Sequence, residues 1–352
     1  MKKLLIVAAL TATSAMAQVT VSGSIGASYQ LSPVLNYVAS PAGASTTRAQ
    51  GLQTQDGEII ITAVEDLGVG YKVIAKGGVT TRGRDTGVET RDATVTLITP
   101  VGAFTGGAVR TCGPWETVMT RVVTGPVRSE NETVSTPLPK CNSVDALNYT
   151  LPLAKTMVNV TYSEYGAGAL NSTGLTALTV SGVYTDGSVM FGTDVTSFAQ
   201  STGGTAAVGR PILDGLARTR VFGSYDFGVA KLGLGYQGYS RVAAATKMAS
   251  VSVPVGHVAL GLEYVVRDEQ GVVNGELTAA GAGVRAVATA LFGATNGDKA
   301  MSSTGIGATY SFSESTSLNA SYIVYKDVGA NSISNAPKKL EDEYRVRLLK
   351  TF

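Results

Sequence analysis

The side chains that most often carry chemistry are scarce in this chain. There is one histidine, His257, and there are two cysteines, Cys112 and Cys141. A catalytic Ser/His/Asp arrangement has no evident members besides the histidine, and no cysteine–histidine cluster has zinc-ligand spacing. Gly305-x-Gly307 lacks the third glycine and the helix of a nucleotide-binding turn. We therefore expect neither an enzyme nor a bound metal or cofactor.

The two cysteines bracket a long polar segment, residues 111–142. Two cysteines in an exported protein favour a disulfide, and closing a loop of this size contributes about 3–4 kcal/mol in the chain-entropy model. We predict a Cys112–Cys141 disulfide that limits how far the segment can move. Two unpaired thiols are the alternative.

Export itself is predicted by the first 17 residues. Met1-Lys2-Lys3 is a short basic start, Leu4 to Leu10 is apolar, and Ser14-Ala15-Met16-Ala17 has the small-x-small pattern of a cleavage site. The apolar run is far shorter than the roughly 20 residues of a membrane-spanning helix. We assign residues 1–17 to a signal peptide and residues 18–352 to the mature domain. Removing Lys2 and Lys3 leaves 26 basic and 26 acidic residues, which gives no reason to expect nucleic acid as a partner.

The mature chain alternates apolar and polar residues in many short stretches. In the first, Val19, Val21, Ile25 and Tyr29 oppose serine, threonine and glutamine residues, so the strand has one apolar and one polar face. The alternation predicts an all-β chain of sixteen strands, joined by seven tight turns that alternate with eight mostly longer connections. Residues 273–296 could add strands, and the best helical candidate, Val284–Phe292, is short.

This rhythm is typical of a transmembrane antiparallel β-barrel with short periplasmic turns and long external loops. A soluble β-sandwich or β-helix would show the same alternation. The even strand count, the tyrosine and phenylalanine residues near strand ends and the C-terminus favour the barrel, which leaves no unpaired backbone in lipid.

Three segments resemble the general, non-specific porins of the outer membrane of Gram-negative bacteria. Glu65-Asp66-Leu67-Gly68, with Gly70 after it, resembles their first periplasmic turn. Tyr344–Phe352 is similar to their last strand, which ends on phenylalanine, and Asn142-Ser143-Val144 with Tyr149 is similar to the strand after their third loop. Two positions depart from the family pattern: Glu58 stands where a basic residue is usual, and Lys350 stands where alternation prefers an apolar one.

The resemblance implies a water-filled channel for passive diffusion of small hydrophilic solutes and ions. It also implies a homotrimer in the outer membrane, contact with lipid and lipopolysaccharide, and recognition of Phe352 by the outer-membrane assembly machinery. In this family the third loop, here residues 111–142, folds into the barrel and narrows it; a solvated external loop would be equally polar. A barrel with a blocked lumen and a structural or surface-recognition role is the alternative function.

The polar face of such a barrel lines the pore. By phase, eight basic residues and four acidic residues point inward, which predicts a weak preference for anions. We expect the constriction and lumen charges to include Glu58, Lys72, Lys76, Arg110, Glu116, Arg121, Arg128, Glu130, Glu132, Arg218, Arg220 and Arg345.

Overall fold

The structure is a computed structural model. It describes residues 18–31, 35–37, 50–81, 89–111, 118, 121–124, 142–165, 174–200, 214–240, 245–268, 301–326, 338–340 and 342–352. The predicted signal peptide, the helical candidate Val284–Phe292 and the segment 273–296 all lie outside these residues.

Sixteen antiparallel strands form one closed barrel, which confirms the predicted fold class. The strands are β1 (Gln18–Leu31), β3 (Gln50–Gly68), β4 (Tyr71–Thr81), β5 (Glu89–Thr99), β6 (Gly102–Thr111), β7 (Asn142–Leu153), β8 (Thr156–Tyr165), β9 (Leu175–Asp186), β10 (Val189–Gln200), β11 (Ala217–Asp226), β12 (Lys231–Tyr239), β13 (Thr246–Val255), β14 (Val258–Arg267), β15 (Met301–Ser313), β16 (Thr316–Lys326) and β18 (Glu343–Thr351). Sequential barrel strands are neighbours, and β1 closes the barrel against β18.

Two short strands stand apart from the barrel, and alternation did not predict them. They are β2 (Leu35–Tyr37) and β17 (Lys338–Leu340), and they pair with each other in a separate sheet. At three residues each, they are too short for a period-two pattern to be recognised. The short helix α1 (Arg121–Thr124) comes between β6 and β7 in chain order. Within the described residues, no helix combines the length and apolar character needed to cross a membrane.

The alternation produces two chemically different walls. Val19, Val21, Ile25 and Tyr29 of β1 are exposed on the outer surface, as are most large apolar side chains of the other strands. Ser28 and Gln30, in the opposite phase of β1, are buried on the inner surface. Lys350, the departure in the last strand, shares the outward phase of Leu348 but lies at the strand end, where its Nζ donates to Ser315 Oγ of the adjacent turn at 2.6 Å. A long side chain there can carry its charge to the membrane interface.

The tight turns fall where the sequence predicts them. In the first, the N–H of Gly68 donates to Asp66 Oδ1 at 2.8 Å, and the turn residue Val69 has a φ of 54°. The turn after β11 repeats the arrangement, since the N–H of Gly228 donates to Asp226 Oδ1 at 2.8 Å. Aspartate is favoured in such turns because its side chain accepts a bond from the backbone two residues on.

The barrel closes through its last residue. Gly23 and Phe352 exchange two backbone hydrogen bonds, of 2.9 Å from Gly23 N–H and 3.0 Å from Phe352 N–H. A Cβ on Gly23 would come within 3.0 Å of both the carbonyl oxygen of Glu58 and the Phe352 ring, so a larger residue would displace the backbone of β3 as well as this side chain. The seam therefore includes a pair of residues from the first and last strands of the barrel.

Candidate functional site

A segment between β6 and β7 lies against the inner wall of the barrel. Its described residues are Val118 and α1, and α1 packs against β14, β15 and β16. Val118, Val122 and Val123 are buried, Val123 completely. A piece of the connection 111–142 therefore occupies space inside the barrel.

Two side chains of the inner wall hold this segment by its carbonyl groups. Ser250 Oγ of β13 donates to the carbonyl oxygen of Val118 at 2.5 Å. Asn319 Nδ2 of β16 donates to the carbonyl oxygen of Val122 at 2.6 Å. Both bonds are buried, and each unmade partner would cost about 1–3 kcal/mol. The wall thus satisfies the carbonyl group of Val118 and one carbonyl group that the single helical turn leaves open.

Three inward-facing glycines let the segment approach the wall closely. A Cβ at Gly233, Gly305 or Gly307 would come within 3.0 Å of Val118, Val123 or Val122 respectively, closer than real Cβ atoms come to other atoms. We call these three glycines, with Ser250 and Asn319, the docking floor. Gly233 and Gly307 approach carbonyl oxygens of the segment, and Gly305 approaches a methyl group of Val123, so a larger residue at any of these positions would displace the segment.

Apolar residues in the inward phase surround the docking floor. Val123 forms a buried cluster with Ile323 and Tyr325 of β16, and Val265 and Met248 are buried nearby on the inner wall. These residues break the polar-inside rule because they face protein rather than water. Apolar residues in the inward phase of a strand are therefore the sequence signal that could have located the contact between the segment and the wall.

Much of the predicted constriction lies outside the described residues. Glu116, Arg128, Glu130, Glu132, Cys112 and Cys141 fall there, and of Arg121 only the backbone in α1 is described. The predicted disulfide and the loop charges therefore remain predictions.

A second inner-wall feature lies on β10 and β11. The guanidinium groups of Arg218 and Arg220 both face Asp194 Oδ1, with nitrogen–oxygen distances of 3.9 Å from Arg218 Nη2 and 3.6 Å from Arg220 Nε. All three side chains are about nine-tenths buried. We call them the arginine cluster; it carries two positive charges and one negative charge.

Neighbouring side chains fix the orientation of Arg218. Its Nη2 donates to Thr196 Oγ1 at 2.9 Å, and its guanidinium carbon lies 5.8 Å from the centroid of the Phe198 ring. Tyr165 packs beside Phe198, with ring centroids 6.1 Å apart. The hydrogen bond and the aromatic face hold a planar cation in one orientation.

The remaining predicted lumen residues are spread along the wall. Arg345 is buried on β18, in register with Gln30 and Ser321. Glu58 is half-buried in the inward phase of β3, opposite Thr80. Lys76 shares that phase, opposite Thr62.

Two further predicted residues lie near strand ends. Lys72 shares the phase of Lys76 and lies next to the first turn, where its Nζ is 3.7 Å from Asp66 Oδ2 and both side chains are exposed. Position 110 pairs with Ser143 in the register of β6 and β7, and the Arg110 side chain lies outside what the structure describes. The assignment of both residues to the constriction or lumen stays a prediction.

Sequence analysis also missed two inward acidic residues. Asp194 is buried in the arginine cluster, and Glu343 accepts a hydrogen bond from Tyr325 OH at 3.0 Å. In β10 the outward positions include Thr193 and Ser197 while Phe198 points inward, so polarity does not reveal the phase. The excess of basic residues on the wall is consequently smaller than alternation predicts.

Comparisons with known proteins agree with this architecture. A sequence model of the family described as Gram-negative porin matches residues 5–330. An anion-selective porin from Comamonas acidovorans is similar in structure, with a TM-score of 0.62 and 15% identity over 96% of this chain and 100% of that one. A mutant of the Rh. blastica porin has a TM-score of 0.59 and 12% identity over 95% of this chain and 100% of its own.

A loop-deletion mutant of OmpT, an outer membrane protein of Vibrio cholerae, has a TM-score of 0.57 and 12% identity over 96% of this chain and 99% of that one. A comparison with curated protein sequences gives no significant match. At these identities the solved structures establish a shared fold.

Proposed function

We propose, on the premise that the chain belongs to the Gram-negative porin family, that it forms a water-filled channel in the outer membrane for passive diffusion of small hydrophilic solutes and ions. The observation that carries this proposal is the contact of Val118 and α1 with the inner wall of a closed barrel. A segment held inside a polar lumen narrows it without needing any moving part. The family and fold are those of a channel rather than an enzyme.

The constriction in this proposal lies between the segment 111–142 and the wall that faces it. Docking on β12 to β16 uses one side of the lumen, which leaves the inward phases of β3 and β4 on another part of the wall. Glu58 and Lys76 lie there. Charges of both signs on this wall would meet solutes as they pass the segment.

A weak preference for anions is part of the proposal. The arginine cluster supports it, because two guanidinium groups share the carboxylate of Asp194, and rings or patches of arginine favour anion passage. The added acidic residues Asp194 and Glu343 keep the expected preference small. The Comamonas acidovorans protein of similar fold is an anion-selective porin by its description.

The proposal extends to export and assembly. Residues 1–17 would be removed as a signal peptide, Cys112 and Cys141 would form a disulfide across the base of the inward segment, and Phe352 would be read by the assembly machinery. The barrel would associate as a homotrimer in contact with lipid and lipopolysaccharide. A mass measurement on unreduced protein tests the disulfide: two free thiols would exclude it.

The decisive experiment is a reversal-potential measurement in planar bilayers under a salt gradient. We expect steady single-channel currents. The reversal potential should be displaced slightly from zero toward the anion equilibrium potential. Glu58→Ala should increase the displacement because it removes a negative charge, and Arg121→Ala should decrease it. Absence of conductance would favour the blocked barrel with a surface role, and cation preference in the wild type would overturn the charge assignment.

A further inference from the structure

Neutral polar side chains form a continuous row on the inner wall from β5 to β10. Its members are partners in register on successive strands: Thr96, Thr105, Asn148, Thr161, Thr179 and Thr196. The row begins beside Ile74 of β4 and ends beside Arg218 of the arginine cluster. The residues next to it in sequence include exposed outward side chains such as Leu147 and Tyr162, so the row itself faces the lumen. Its first five members are half-buried and therefore accessible from the lumen.

Hydrogen bonds join neighbouring members of the row. The hydroxyl oxygens of Thr96 and Thr105 lie 2.8 Å apart, and those of Thr179 and Thr196 lie 2.9 Å apart. Between these pairs, Thr161 Oγ1 donates to Asn148 Oδ1 at 2.7 Å. The bonds hold the side chains in fixed positions along the wall.

A second row lies one inward position nearer the tight turns. Thr150 Oγ1 donates to Asn159 Oδ1 at 2.7 Å, and Asn159 Nδ2 donates to Ser181 Oγ at 3.4 Å. Asn148 Nδ2 donates to Thr150 Oγ1 at 2.8 Å and so joins the two rows. We call these three residues of the second row, together with the six of the first, the hydroxyl track. All nine carry a hydroxyl or an amide group and no charge.

The hydroxyl track climbs the barrel wall. Thr96 lies three residues from the tight-turn end of β5 at Thr99, whereas Thr196 lies seven residues from the tight-turn end of β10 at Val189. The difference corresponds to about 13 Å along the strands, at about 3.3 Å per residue. The inward segment docks on β12 to β16, so the track lies on a different part of the wall. A solute that passes the segment meets the track over this height.

We propose that the hydroxyl track binds neutral polyhydroxylated solutes, such as polyols and small saccharides, as they diffuse through the pore. The inference rests on the proposed channel function and names a solute class for it. A threonine hydroxyl that donates one bond can also accept two, so members such as Thr161 offer oxygen atoms to the hydroxyl groups of a solute. Adjacent strands are about 4.8 Å apart, so one polyol molecule contacts two strands at once. Ions find no opposite charge on the track, which distinguishes it from the arginine cluster.

Single-channel currents with sorbitol in the solution test the proposal. The channel conductance in planar bilayers, divided by the bulk conductivity of the same solution, should fall with sorbitol concentration and reach a plateau, because bound sorbitol obstructs the pore. Tetraethylene glycol has a similar mass, but its ether oxygens accept hydrogen bonds and donate none. The same ratio should therefore fall much less with tetraethylene glycol. Equal behaviour of the two solutes would overturn the proposal.

Thr161→Val replaces one hydroxyl group of the track with a methyl group. It should weaken sorbitol binding about fivefold, the factor expected for one net hydrogen bond, whereas Thr161→Ser should preserve binding. Thr304→Val is the matched control, because Thr304 is exposed on the outward face of β15, in register with Tyr264. If Thr161→Val does not fold, Thr105→Val makes the same test on β6. Unchanged binding in the folded track variants, or equal weakening in Thr304→Val, would overturn the proposal.

The current in salt alone separates failure of the track from failure of the channel. Steady current without a sorbitol plateau would exclude the track as a binding surface and leave the channel function in place. Absence of current in salt alone would exclude the channel and the proposal with it. The reversal potential should be the same in the wild type and Thr161→Val, because the substitution changes no charge.

Discussion

The docking floor and the arginine cluster are two regions of one inner wall built on opposite principles. The docking floor works through missing side chains: Gly233, Gly305 and Gly307 let a separate segment lie directly on the strands. The arginine cluster works through long side chains of adjacent strands that pair with each other. The comparison shows two ways of shaping this lumen. In one region a segment lies close against the backbone of the strands, and in the other charged side chains of the strands fill the space.

The largest effect should come from the charged region. Asp194→Asn removes the carboxylate that faces two buried guanidinium groups, and breaking a buried pair costs about 3–5 kcal/mol. We expect the free energy of unfolding in detergent, measured by urea titration, to fall by about 3 kcal/mol. The reversal potential should also move further toward anions. An unchanged reversal potential would mean that the cluster does not affect permeating ions.

A smaller loss of stability, with a larger change in conductance, is expected at the docking floor. Gly305→Val places side-chain atoms where Val123 lies, and overpacking of this kind costs about 1–3 kcal/mol. The segment should leave the wall and the single-channel conductance should change. Gly182→Val is the control, since a Cβ there meets no atom within 4 Å. Equal conductance in wild type and Gly305→Val would show that the segment does not limit the current.

Removing one anchor of the docking floor should have a still smaller effect. Asn319→Leu deletes the donor to the Val122 carbonyl, and we expect a loss of about 1 kcal/mol and more noise in the open-channel current. Asn159→Leu serves for comparison: this asparagine also bonds within the wall, to Thr150 and Ser181, but away from the segment. Similar noise in both variants would contradict a specific anchoring role for Asn319.

The smallest effect should come from an exposed ion pair. Lys247 Nζ lies 2.9 Å from Asp268 Oδ2, and both side chains are about half exposed. Because water already solvates such charges, Asp268→Asn should leave both the unfolding free energy and the reversal potential unchanged within error. It makes the same chemical change as Asp194→Asn, so a comparable loss of stability would show that burial is not what distinguishes the cluster.

The sequence predicts the barrel better than it predicts the contents of the lumen. Strict alternation in β1 and the turn chemistry of Asp66 and Asp226 are local signals, and they locate strands and turns directly. The bond between Asn319 and Val122 joins residues 197 positions apart, and no local pattern specifies such a partner. Inward apolar residues such as Val265 and Ile323 indicate that another part of the protein covers them. They do not indicate which segment that is.

The Gly305-x-Gly307 pair illustrates the same limit. As a motif it is too short to indicate a nucleotide site, and its spacing of two instead places both glycines on one face of a strand. Only the fold brings Val122 and Val123 against that face. The Asp194 carboxylate was missed for a different reason, because mixed polarity on both faces of β10 hides its phase.

The contact between Gly23 and Phe352 lies at one end of the seam where β1 meets β18. Deleting Phe352 would remove both of its backbone hydrogen bonds with Gly23, together with the aromatic ring beside that glycine. The first and last strands would then present a weakened edge to any strand that could pair with them. A single residue at the seam therefore bears on whether the barrel exposes an edge at all.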